Sequence, residues 1–157
     1  MKNGKNNKIM NKEFVPLEIA RELKEIGFDE ECFAGFQLDH KNQMKLFFKP
    51  SQSKSLTKIA TNVYGRYCHQ NNHVIKAPLY QQVFRWFMER YNLVASISTW
   101  DDGTFHYSIK NLTGLIYDIN CNHIGYFDSL EKVQDECIEN LISLLKKDLE
   151  ENAVTRN

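Results

Sequence analysis

The sequence predicts a small single α+β domain, an antiparallel sheet packed with about three helices. Three observations lead there. Segments near residues 16–27, 78–91 and 128–145 repeat apolar residues at helical spacing. The stretches between them alternate polar with aromatic or β-branched residues, as half-buried strands do. The chain has 157 residues, 42% hydrophobic and 12% aromatic, enough for one core with little room for a second.

Residues 1–12 hold Lys2, Lys5, Lys8 and Lys12, no acid and few apolar side chains, so a disordered basic tail is expected there. Ordered structure, residues 13–151, should begin at Glu13. Pro16 suits the first helical position, and Phe14 and Ile19 then form a hydrophobic staple. Ile19, Ala20, Leu23 and Ile26 build the buried face, Gly27 supplies a left-handed stop, and Phe28 folds back on the last turn. Cys32–Leu38 reads as a strand. Leu46–Phe48 and Ile59–Tyr67 are candidate strands within a basic insertion over 40–76.

A second helix is expected from Pro78, with Leu79, Val83, Trp86 and Phe87 on one face and Tyr80, Phe84, Met88 and Tyr91 beside them. Leu93–Trp100 and Thr104–Ile109 then read as a hairpin closed by Asp101-Asp102-Gly103, glycine taking the left-handed position. Leu115–Ile119 is a further candidate strand. Asp128, with Glu131 three residues on, predicts the start of the last helix. Its stripe is Leu130, Val133, Cys137, Leu141, Leu144 and Leu145, with Lys146 and Lys147 towards the C-terminal end and 152–157 a frayed tail.

Charge is strongly partitioned although the net value is zero, with 20 basic and 20 acidic side chains. Lys41, Lys45, Lys49, Lys54, Lys58, Arg66 and Lys76 fall in residues 40–77, which contain no acid. Phe47, Phe48, Tyr64 and Tyr67 are interleaved with them. Cations track phosphates while aromatic rings stack bases, so these seven residues are the candidate contacts for a partner or nucleic acid. The competing reading is a solvated basic loop balancing acidic helices of the same molecule.

Catalytic chemistry finds little support. No Walker loop, nucleophile elbow, HExxH or dinucleotide fingerprint occurs, and no catalytic residue or cofactor is expected. Arg66 and His73 share the spacing of some metal-independent ribonucleases, but not their helical context. Cys32, Cys68, Cys121 and Cys137 contain no CxxC pair and read as reduced thiols. A zinc site from Cys68, His69 or His73, Cys121 and His123 lacks the two tight ligand pairs such sites use, so no metal is expected. Asp101 and Asp102 at a hairpin tip lack the burial that tunes a catalytic pair. His106 belongs to a polar sheet face, and Trp86 and Trp100 are assigned to core packing. No apolar run approaches the roughly 18 residues of a membrane span, and the N-terminus MKNGKNNKIMNKE lacks the apolar centre of a secretion signal. A soluble protein without membrane contact follows.

Three segments resemble a family of small proteins from phages and prophages of Bacteroidota. They are EFVPLEIARELKEIGFDEECF (Glu13 to Phe33), APLYQQVFRWFMERYNL (Ala77 to Leu93) and FDSLEKVQDECIENLISLL (Phe127 to Leu145). They cover roughly a third to a half of the chain; residues 37–76 depart from the pattern, being longer and more basic. The resemblance implies a non-enzymatic accessory protein acting in the bacterial host cytoplasm. It further implies a stoichiometric inhibitor of host defence, an anti-CRISPR protein directed at an RNA-guided type VI effector or its guide-RNA complex. A nucleic-acid-binding accessory protein and a structural phage component are the alternatives. No site residue carries over from the family.

Overall fold

The structure is a computed structural model that describes residues 11–39, 41–48, 74–112 and 126–154. The candidate strands Ile59–Tyr67 and Leu115–Ile119 and most of the N-terminal tail lie outside them. The α+β class is as expected, with helices and antiparallel strands. The described strands form two separate sheets where one was anticipated. The chain divides into two compact units, Met1–Leu79 and Tyr80–Asn157.

In the first unit, Asn11–Glu13 makes a 3-10 turn. Helix α1 spans Leu17–Glu25 and buries Ile19, Ala20 and Leu23. Pro16 is its N-cap rather than its first residue, and its carbonyl accepts from the Ala20 N–H at 2.9 Å. The staple positions therefore move by one, to Val15 and Ala20, both buried. Phe14 instead forms an antiparallel bridge with Leu79, while the Val15 N–H donates to the Pro78 carbonyl at 3.1 Å. The C-terminus of α1 is a Schellman motif. Gly27 has φ +88°, its N–H donates to the Lys24 carbonyl, and the Phe28 N–H donates to the Leu23 carbonyl at 2.9 Å. Phe28 and Leu23, the two apolar positions of that motif, are both buried.

Three strands follow, β1 (Ala34–Leu38), β2 (Met44–Phe48) and β3 (Ile75–Lys76), in the antiparallel order β2-β1-β3. The register pairs Ala34 with Phe48, Phe36 with Leu46 and Ile75 with Phe36. Directly paired residues share a face, so these side chains line one side of the sheet. Ala34, Ala77 and Phe14 form its buried cluster, with Phe36, Leu46 and Leu79 packed against it.

In the second unit, α2 spans Tyr80–Tyr91 and buries Tyr80, Val83, Trp86 and Phe87. It starts two residues after Pro78, because Pro78 and Leu79 are held in extended pairing with Val15 and Phe14. Met88 is 38% exposed, so the apolar surface of α2 is narrower than its composition suggested. Asn92, at φ +58°, ends the helix, a conformation asparagine tolerates better than most residues. Strands β4 (Leu93–Thr99) and β5 (Phe105–Asn111) form the expected hairpin, with Leu93 opposite Asn111 and Thr99 opposite Phe105. Its tip is the anticipated three-residue loop: the Gly103 N–H donates to the Trp100 carbonyl and the Trp100 N–H to the Thr104 carbonyl.

Helix α3 spans Leu130–Val154. Its cap is Ser129, not Asp128: the Ser129 hydroxyl accepts from the Lys132 N–H at 3.3 Å, and Asp128 pairs with the Lys132 ammonium at 2.8 Å. A capping box needs a glutamate or glutamine three residues after the cap, and that position holds Lys132. Val133, Cys137, Leu141 and Leu145 are buried as expected, Leu130 is 45% exposed, and Ile138 and Ile142 join the core. The helix runs past residue 152, so Lys146 and Lys147 do not occupy its final turn. A polar contact ties α2 to α3: the Tyr80 hydroxyl donates to Asp135 Oδ1 at 2.6 Å.

Two substitutions test this framework. Gly27→Ala meets no neighbour within 4 Å, so its cost is the left-handed backbone alone. The expected loss is about 1–2 kcal/mol in a urea titration. Burial raises the pKa of Asp135, and the Tyr80 hydroxyl opposes that rise by stabilising the carboxylate. Tyr80→Phe should cost ~1 kcal/mol at neutral pH. The loss should shrink as the pH falls through the folded-state pKa of Asp135, because the protonated carboxyl carries no unpaired charge; denaturation at neutral and acidic pH measures this.

Candidate functional site

The turn between β1 and β2 is organised by Asp39. Its Oδ1 accepts from the backbone N–H of Lys41 at 2.7 Å and of Gln43 at 3.0 Å, the short-range Asx pattern that lets an aspartate replace a backbone acceptor. The Asn42 N–H donates to the Asp39 carbonyl, and Asn42 takes φ +57°. Lys41 is thereby fixed on the turn with an exposed side chain. Lys45 follows on β2, opposite Gln37, and its ammonium lies 2.6 Å from Asp39 Oδ2. With the Lys45 ammonium beside it, and the Gln43 and Lys41 amides on its other oxygen, the Asp39 carboxyl is lowered to about 2.

Lys76 lies on β3 opposite Gly35, and Phe47 lies opposite Gly35 from β2. Lys45, Lys76, Phe47 and Gln37 therefore share the sheet face turned away from the Ala34–Phe36 cluster. Two of the seven predicted basic residues and one predicted aromatic residue come together there. Lys76 has an internal task as well: its ammonium donates to the carbonyls of Asp29 at 2.6 Å and Glu30 at 2.9 Å, holding the connection that leaves α1. Lys49, Lys54, Lys58 and Arg66 lie outside the described residues, as do His73 and the candidate zinc ligands Cys68, His69, Cys121 and His123.

Among the described residues, no group of three His, Cys, Asp or Glu side chains is arranged to hold a metal ion. Cys32 and Cys137 are free and buried; burial pushes the first thiol up to about 11 and the second up to about 12. Neither is a ready nucleophile, since the thiolate is the reactive form. Asp102 caps its own loop, accepting from the Thr104 N–H and hydroxyl, and those bonds lower its pKa. No described helix is long and apolar enough to cross a membrane.

Two features escaped the residue pattern. The first is Asp39, whose role shows only once the turn is closed; the Asp-x-x-Asn sequence beside two lysines was its available signal. The second is Trp100. Trp86 is in the core at 3% exposure, but Trp100 is 46% exposed and lies tilted against His106, with ring centroids 4.5 Å apart and an interplanar angle of 32°. His106 pairs with Ser98 on the polar face, as strand alternation predicted. Carrying that alternation through the three-residue loop places Trp100 on the same face, outside the core.

No protein-family model, curated protein or solved structure matches the chain.

The Asp39 pair yields a pH prediction. The folded carboxyl titrates near 2, below its unfolded value of about 3.9. The pair's contribution to stability is therefore present above the unfolded value and lost as pH falls through the folded one. An NMR titration of the Asp39 side chain should give a midpoint near 2, and Lys45→Ala should move it upward towards the ordinary carboxylate range.

Proposed function

We propose that this is a mobile-element accessory protein that acts by binding, a stoichiometric inhibitor of host defence that docks on a polyanionic ribonucleoprotein. In its most concrete form it is an anti-CRISPR protein that engages an RNA-guided type VI effector and obstructs guide-RNA or target access. One observation carries the reading: residues 40–77 hold seven cations and no acid in a chain that is neutral overall. Cations concentrated in that way raise the local concentration of phosphates and speed encounter with them. Direct RNA contact is favoured by a specific feature, the placing of Phe47 beside Lys45 and Lys76 on one sheet face. A ring flanked by cations suits an unpaired base and its phosphate.

The internal bonds of Lys45 and Lys76 determine how the test is built. Reversing either charge would disturb the β1–β2 turn or the α1–β1 connection as well as any interface. The informative variant replaces Lys41, Lys49, Lys54, Lys58 and Arg66 by Glu. It should abolish co-precipitation with host type VI effectors while retaining the native melting temperature within a few degrees. Single-stranded RNA binding, measured at two salt concentrations, should weaken with a slope of about −0.7 per phosphate neutralised, and the variant should flatten that slope. Trp86→Ala is the non-specific control, with a core-cavity cost of roughly 3–5 kcal/mol. Failure of the native protein to bind any such effector removes the anti-CRISPR reading. Salt-insensitive RNA binding removes the electrostatic one.

A further inference from the structure

We propose that the exposed indole of Trp100 is a docking point for a cationic side chain, arginine or lysine, presented by a partner protein. The inference is independent of the basic segment and concerns the second compact unit alone. Three observations carry it. Trp100 sits at the tip of the β4–β5 hairpin with nearly half its surface exposed, so a large apolar area stays in water and is available for burial against a partner. Its ring is held in place: His106 lies against it at 4.5 Å, and the loop is pinned by the Trp100–Thr104 and Trp100–Gly103 backbone bonds. An aromatic surface fixed before binding loses little conformational entropy on contact.

The third observation is charge. The two residues that follow in the loop are Asp101 and Asp102, both exposed. The unit to which the hairpin belongs, residues 80–157, has twelve acidic and seven basic side chains, a net charge of −5. The indole face attracts cations through its quadrupole, tryptophan most strongly of the aromatic residues, and neighbouring carboxylates add to that attraction. The same carboxylates repel phosphate, so a nucleotide is the poorer occupant. Lys110 is on the same sheet face but at its far end, paired with Val94. Between Lys110 and His106 the described strand positions on that face are Ser96, Ser98 and Ser108, small side chains without charge. The chain already pairs its other tryptophan in this way, with the Arg90 guanidinium carbon 5.9 Å from the centre of the Trp86 ring.

The test uses the full chain and short peptides of alternating Arg-Gly, Lys-Gly and Glu-Gly. Titrations at low salt are read by calorimetry and by the emission of Trp100, with Trp86 as the buried reference. The Arg-Gly peptide should bind and shift the emission, the Lys-Gly peptide more weakly, and the Glu-Gly peptide not at all. Trp100→Ala should weaken Arg-Gly binding roughly two- to fivefold. Trp100→Leu keeps an apolar side chain against His106 but has no π face, and should lose as much; Trp100→Tyr should fall between it and the native protein. Unchanged affinity in both Trp100→Ala and Trp100→Leu overturns the proposal, as does absence of Arg-Gly binding to the native chain. A single-stranded oligoribonucleotide that perturbs Trp100 where the Arg-Gly peptide does not also overturns it, by making the platform a base-stacking site.

Discussion

The antiparallel bridge between Phe14 and Leu79, with the Val15 to Pro78 hydrogen bond beside it, is the constraint on which the first unit depends. It joins two segments far apart in sequence and closes the unit on itself. Local rules would start a helix at each proline. The bridge instead keeps both segments extended, so α1 begins at Leu17 and α2 at Tyr80. A proline lacks an N–H and loses nothing outside a helix, whereas its carbonyl still accepts. Pro16 and Pro78 both serve in this way, the first accepting from Ala20 and the second from Val15. The same pairing brings Phe14 against Ala34 and Ala77, and so aligns β3 beside β1.

Lysines in this unit have more than one role. Lys76 is fixed by two carbonyl oxygens and Lys45 by Asp39, while Lys41 projects from the turn that Asp39 builds. An ammonium that satisfies buried or part-buried acceptors is structural even when it also contributes to the local field. Composition counts all seven cations alike. Among the three described, the structure separates Lys45 and Lys76, whose removal would disturb a connection, from Lys41, whose exposed side chain contributes charge.

The second unit shows how strand parity distinguishes chemically similar residues. Trp86 and Trp100 are both tryptophans on amphipathic elements. Trp86 lies on the buried side of α2, packed edge-on to Phe87 and Tyr91 at 5.0 and 5.1 Å. Trp100 follows the strand alternation of β4 onto the face of Ser98 and His106, where a ring of its size cannot be covered by neighbouring serines. Large hydrophobic area alone favours burial for either residue. Position in the alternation decides against it for one of them.

The sequence by itself determined the features set by short-range chemistry. These are the α+β class, the Gly27 stop with its Phe28 contact, the Asp101–Gly103 hairpin, and the burial of Ile19, Leu23, Val83, Trp86, Phe87, Val133 and Leu141. Each follows from residues within a few positions of one another, through backbone preference or helical period. The basic character of residues 40–77 is likewise plain from composition. Tertiary structure decided the rest: the exact helix starts, the division of the strands into two sheets, the pairing of Lys45 with Asp39, the sharing of a face by Lys45, Phe47 and Lys76, and the exposure of Trp100. Those depend on which distant segments hydrogen-bond and in what register, and a single chain's local periodicity does not encode the partner of a strand.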